Sequence, residues 1–65
     1  MKYKYGPKAD VLVISLSNEK PDFGEQRENI ITHYNKKGKP VEIEILDASR
    51  TALDIIRTML PKKVV

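Results

Sequence analysis

The side chains with the most chemistry in them are one histidine and four acids. His33 sits in the run Ile30-Ile31-Thr32-His33-Tyr34, and Asp10, Glu42, Glu44 and Asp47 flank or interrupt aliphatic stretches. Glu42 and Glu44 alternate with Val41, Ile43 and Ile45, so a strand puts both carboxylates on one face about 7 Å apart, near enough to raise one pKa or share a hard cation. Whether His33 joins them depends on a hairpin. If Asn35-Lys36-Lys37-Gly38 is a type I turn closed by a bulge with Gly38 at positive φ, His33 falls opposite Val41. If Lys37-Gly38 is a two-residue turn, His33 falls opposite Glu42, and a metal or acid–base pair becomes available. Plainer roles outweigh that chemistry: strand glutamates pair across strands with Lys or Arg, Asp10 suits the turn before a strand, and Asp47 suits a helix cap.

Catalysis asks for more than this set offers. A site needs a nucleophile or base, an orienting partner and a charge stabiliser in a pocket. The chain has no Cys, a single His, no phosphate-cradling glycine loop, and no second histidine for Ser15, Ser17 or Ser49 to share. Zinc clusters of the finger or ribbon type are excluded, because they need Cys and His in fours. The expectation is a protein that is not an enzyme and carries no cofactor or metal.

Basic residues raise a second possibility. Lys36, Lys37 and Lys39 crowd one hairpin tip, with Lys2, Lys4, Lys8 and the rings of Tyr3, Tyr5 and Tyr34 elsewhere, a set able to neutralise phosphates and stack bases. Against it, 12 Lys and Arg face 9 Asp and Glu with both signs interspersed, which describes a solvated surface. Lysines at tips and edges also guard sheets against edge-to-edge pairing. Weak nucleic-acid binding through the hairpin is therefore the alternative to the main reading, and a metal-dependent hydrolase built on His33 and Glu42 is a remote one.

These residues must be positioned by a small scaffold. Lys2 to Tyr5 alternates as a short strand, Gly6-Pro7 turns the chain, and Val11 to Leu16 is a strand apolar on both faces, Leu12, Ile14 and Leu16 on one and Val11 and Val13 on the other. Ser17 to Gln26, with Asn18, Pro21, Asp22 and Gly24, reads as the longest loop, pinned by Phe23. Asn29 to Tyr34 and Val41 to Leu46 are two further strands. Ala48, Ala52, Ile55, Ile56, Met59 and Leu60 recur at helical spacing, with Leu53 widening the stripe, Asp47 or Ser49 as cap and Pro61 as stop; Lys62 to Val65 is a tail or a short edge strand. The fold class predicted is α+β: one domain over 1–65, an antiparallel four-stranded β-meander with one C-terminal helix packed on one face.

Such a domain is thinly stabilised. A 65-residue chain buries only about 60% of its unfolded surface and here lacks disulfides, so association is the remaining support. One helix covers one face, and the other, with Val11, Val13, Tyr3 and Tyr5 as interface candidates, is expected to meet a second copy in a homodimer. No apolar run approaches a bilayer span and Met1 to Tyr5 is not a secretory leader, so a cytoplasmic, non-membrane protein is expected.

Tyr5 followed by Ala9-Asp10-Val11-Leu12-Val13-Ile14-Ser15-Leu16, then Gly38-Lys39-Pro40-Val41-Glu42-Ile43-Glu44-Ile45-Leu46-Asp47-Ala48-Ser49, resembles the prokaryotic family called domain of unknown function 2283. The later stretch is the more specific. Members often have Gly where Glu42 stands here. The resemblance implies a small bacterial or archaeal protein without an assigned reaction. Because some relatives are encoded beside small toxin-like proteins, it also implies a neighbouring protein partner and an antitoxin-like role.

Overall fold

The computed structural model describes residues 1–60. Five strands, β1 (Lys2–Gly6), β2 (Val11–Ser15), β3 (Phe23–Arg27), β4 (Ile30–Tyr34) and β5 (Pro40–Leu46), precede one helix, α1 (Ala48–Met59). The strands form one antiparallel sheet in the order β1-β2-β5-β4-β3. The class is therefore α+β as predicted, with three corrections of detail.

First, there are five strands. The segment expected to be loop contains β3, which pairs along its whole length with β4 and joins it through the two-residue loop Glu28-Asn29. Phe23, expected to pin that loop, stacks on Tyr34 across the pair with ring centroids 5.1 Å apart. Second, the sheet is not a simple meander. β2 lies beside β5, so the chain crosses from the centre of the sheet to its far edge between β2 and β3 and then works back. The two most aliphatic strands thereby become central neighbours, where each has partners on both sides.

Third, α1 does not pack on the sheet. Asp47 adopts a left-handed backbone, φ 49°, that turns the chain out of β5, and every helix residue after Thr51 is exposed, Leu53 by 50% and Ile56 by 48%. The apolar stripe read from the sequence is present but uncovered. The expected stop at Pro61 and the Lys62 to Val65 tail lie outside the described residues.

Register divides the sheet into two unlike faces. One carries the rows Tyr3–Ile14–Ile43–Thr32–Glu25 and Tyr5–Leu12–Ile45–Ile30–Arg27, apolar except at Thr32 and the β3 edge. The other carries Lys4–Val13–Glu44–Ile31–Gln26 and Lys2–Ser15–Glu42–His33–Gly24. Among the described residues no second layer covers either face. Among the described residues only Val41, Ala48 and Asn35 are buried.

The hairpin between β4 and β5 settles where His33 lies. Gly38 takes φ 82° and its N–H donates to the Asn35 carbonyl, while the Asn35 N–H donates to the Lys39 carbonyl, the bulged type I arrangement. That turn alone would oppose His33 to Val41. A second irregularity intervenes: Tyr34 pairs with Pro40 and His33 with Glu42, leaving Val41 as an extra residue. His33 therefore faces Glu42, the register expected of the two-residue turn, although the turn is the bulged one and the extra residue is Val41.

Candidate functional site

Of the histidine and four acids singled out in the sequence, three meet at the centre of the mixed face. His33 Nε2 lies 2.6 Å from Glu44 Oε1 and 3.9 Å from Glu42 Oε2, with all three side chains half-buried. The strands explain the meeting: Glu42 and Glu44 are two apart on β5 and share a face, and His33 is directly opposite Glu42, so its ring spans to the neighbouring position. Glu44 is flanked across the strands by Val13 and Ile31, and Glu42 by Ser15 and His33. The expected lysine or arginine partners are absent: among the described residues, the only basic side chain within 4.0 Å of either glutamate is the His33 imidazole.

Gly24 is a site residue the sequence did not single out. It sits opposite His33 on β3, and a Cβ there would come within 3.1 Å of His33 Nδ1. The imidazole occupies the space a side chain would take, so glycine at this strand position has a packing reason.

Asp10 lies elsewhere. At φ 55° it projects its carboxylate between β1 and the start of α1, accepting from the Tyr5 hydroxyl at 2.6 Å, the Ser49 hydroxyl at 2.7 Å and the Ser49 N–H at 3.1 Å. The Asp10 carbonyl takes the Ala48 N–H as well. Asp10 is thus the cap of α1 supplied from another hairpin, satisfying donors that the helix's first turn leaves free. Asp47, expected to cap, makes no side-chain cap bond, and Ser49 acts as donor. Asn29 completes the joint by donating to the Leu46 carbonyl and the Thr51 hydroxyl oxygen, both at 2.7 Å.

This latch makes the helix joint pH-dependent. The Tyr5 and Ser49 hydrogen bonds hold the Asp10 carboxyl below its ordinary range, and the bond to Asp10 raises the Tyr5 phenol above its own. Folded Asp10 binds a proton less readily than unfolded Asp10, so its contribution is present above the unfolded pKa and is lost as pH falls through the lowered folded value. Tyr5 has the opposite sign: its contribution is present below the unfolded phenol pKa and is lost as pH rises through the raised one. Far-UV circular dichroism should show helix signal lost at the acid end, and Asp10→Asn should remove that acid limb. An identical acid limb in the variant would exclude the latch as its source.

The remaining candidates are dispersed. Tyr3 and Tyr5 lie on the apolar face opposite Ile14 and Leu12, whereas Val11 and Val13 lie on the mixed face with Gly6 and Lys4, so the four do not form one patch. Lys36 and Lys37 are exposed at the hairpin tip, and Lys39 reaches to 3.8 Å from Glu19. Asn35 organises that tip: its side-chain oxygen accepts from the Lys37 and Lys39 N–H groups, and its amide donates to Glu19. Glu19 and Asp22 line the same shallow cleft as Lys36 and Lys37, so the tip is mixed in sign. No described helix is long and apolar enough to cross a membrane.

Fold and surface together define a small single-sheet α+β protein with an uncovered apolar face and an unpacked amphipathic helix. The chain belongs to the family described as "Protein of unknown function (DUF2283)", whose model matches residues 2–49, the whole sheet and the Asp10–Ser49 latch. No curated protein and no solved structure matches the chain.

Proposed function

We propose that this protein is a non-enzymatic, self-associating module in which α1 of one copy lays its apolar stripe on the apolar sheet face of a second. The observation that carries this reading is an amphipathic helix and an apolar sheet face left uncovered in the same chain. A 12-residue helix is marginal in water without packing, so α1 needs a surface to lie on. The joint at Asp47 and Asp10 directs it away from its own sheet. A two-fold exchange covers both helices and both faces with one repeated contact.

The area supports it. A folded monomer of this mass exposes about 4,200 Å² by the usual scaling, and this chain exposes 5811 Å². Five residues of this size, whatever their conformation, account for no more than about 800 Å² of that excess, so residues 61–65 do not explain it. Roughly 800 Å² per chain is left over, the share each partner buries in a standard interface. The hairpin lysines add no comparable support for nucleic-acid binding, because acidic side chains share their cleft.

Sedimentation equilibrium across a dilution series tests the proposal. The expected result is a mass of two chains that dissociates on dilution with loss of helix signal. A monomer that keeps its helix at every concentration would overturn it.

A further inference from the structure

We propose that His33, Glu42 and Glu44 form a binding site for one divalent transition-metal ion of the zinc type. One donor atom from each of the three lies within 4.8 Å of the others. Donors around tetrahedral zinc, at bond lengths near 2.0 to 2.1 Å, stand about 3.4 Å apart. The distances from His33 Nε2 bracket that value, 2.6 Å to Glu44 and 3.9 Å to Glu42, so small side-chain rotations separate one pair and close the other.

Charge makes the same point independently. In a chain of net charge +3, two adjacent carboxylates are half-withdrawn from water with no lysine or arginine ion-paired to either among the described residues. Lys2 and Lys4 share their face but stand two strands away, about 10 Å in sheet spacing. Among the described residues one imidazole is the sole partner for both acids. A divalent cation coordinated between them would supply the missing positive charge.

The donor chemistry selects the ion class. Magnesium and calcium prefer oxygen throughout, whereas a neutral imidazole nitrogen with two carboxylates suits zinc and its neighbours. Three protein ligands leave a fourth position for water. The scaffold is suited to hold them, because adjacent central strands fix the three backbones and Gly24 leaves the imidazole its seat. The site lies on the mixed face, opposite the one assigned to self-association, so it stands or falls apart from that reading.

Full-length protein stripped with chelator and titrated calorimetrically with Zn²⁺ alone should take up one ion per chain. His33→Ala and Glu44→Gln should each weaken binding by at least about 100-fold, given that even outer-shell changes cost 10- to 100-fold. Gly24→Ala should weaken it less, by pressing on the ring, and Asp54→Asn on the exposed helix should leave it unchanged. Should the variants fold poorly, the wild-type imidazole resonances of His33 serve instead, and they should shift on stoichiometric Zn²⁺. No uptake by the wild type, uptake that leaves those resonances in place, or full affinity in both ligand variants would overturn the proposal.

Discussion

Ile56→Asp is expected to turn the protein into a monomer and to melt most of α1. Ile56 is 48% exposed in the single chain, so a polar replacement there costs the isolated fold little. In the proposed pair it would sit mid-stripe, between Leu53 and Met59 along the helix, where a carboxylate would have to be desolvated without a partner. A central interface residue of this kind is worth about 2 kcal/mol or more, so the dissociation constant should rise by at least roughly 30-fold. Loss of helix follows from the same change, because 12 residues without a packed face are too few to hold a helix in water. Arg57→Ala is the matching control. Arg57 lies on the polar side and its pairing with Asp54 is an exposed contact at 4.0 Å, so association should be almost unaffected. If Ile56→Asp keeps both the two-chain mass and the helix signal, α1 is not the interface element.

The sheet's centre was legible because its residues carry their own instructions. Val11 to Ser15 is aliphatic and β-branched, and Val41 to Leu46 alternates cleanly, so pattern and propensity agree with the tertiary result. β3 had neither signal. Phe23-Gly24-Glu25-Gln26-Arg27 holds one aromatic, a glycine and three residues that do not favour strands, and every one of them is exposed. It is extended because β4 offers an open edge, and its turn uses Glu28 at φ 54°, a position where Gly is the usual sign. The helix was legible in extent but not in placement. An apolar stripe says that something covers it, and the direction of α1 depends on one left-handed residue, Asp47, and on a cap from Asp10 that lies 39 residues before Ser49.

The polar site divides in the same way. That Glu42 and Glu44 share a face follows from strand alternation alone. That His33 reaches them depends on the bulge at Val41, which no turn rule for Asn35 to Gly38 contains. The absence of lysine partners among the described residues is a matter of strand order. Placing β2 beside β5 sets Val13 and Ser15 next to the glutamates and sends Lys2 and Lys4 one strand further out.

Val41→Ala should be the most damaging single truncation in the sheet. Val41 is 2% exposed, the most buried side chain described, and its carbonyl accepts from both Leu16 N–H at 2.9 Å and Ser17 N–H at 3.3 Å. Deleting two buried methyl groups removes their transfer free energy and leaves a void that the surrounding strands close only in part, together about 2 kcal/mol. A chain of 65 residues has only some 3 to 10 kcal/mol in total, at roughly 0.05 to 0.15 per residue. The loss is thus a large fraction of the whole, and thermal denaturation should fall by roughly 10 °C. Val13→Ala, at a half-buried position on the mixed face, should cost clearly less. The effect should also reach beyond stability. Val41 is the extra residue that sets His33 opposite Glu42, so a loosened bulge should weaken Zn²⁺ binding even where the folded fraction is matched by working at lower temperature. A variant with unchanged melting temperature would show that the sheet does not depend on this residue for its core.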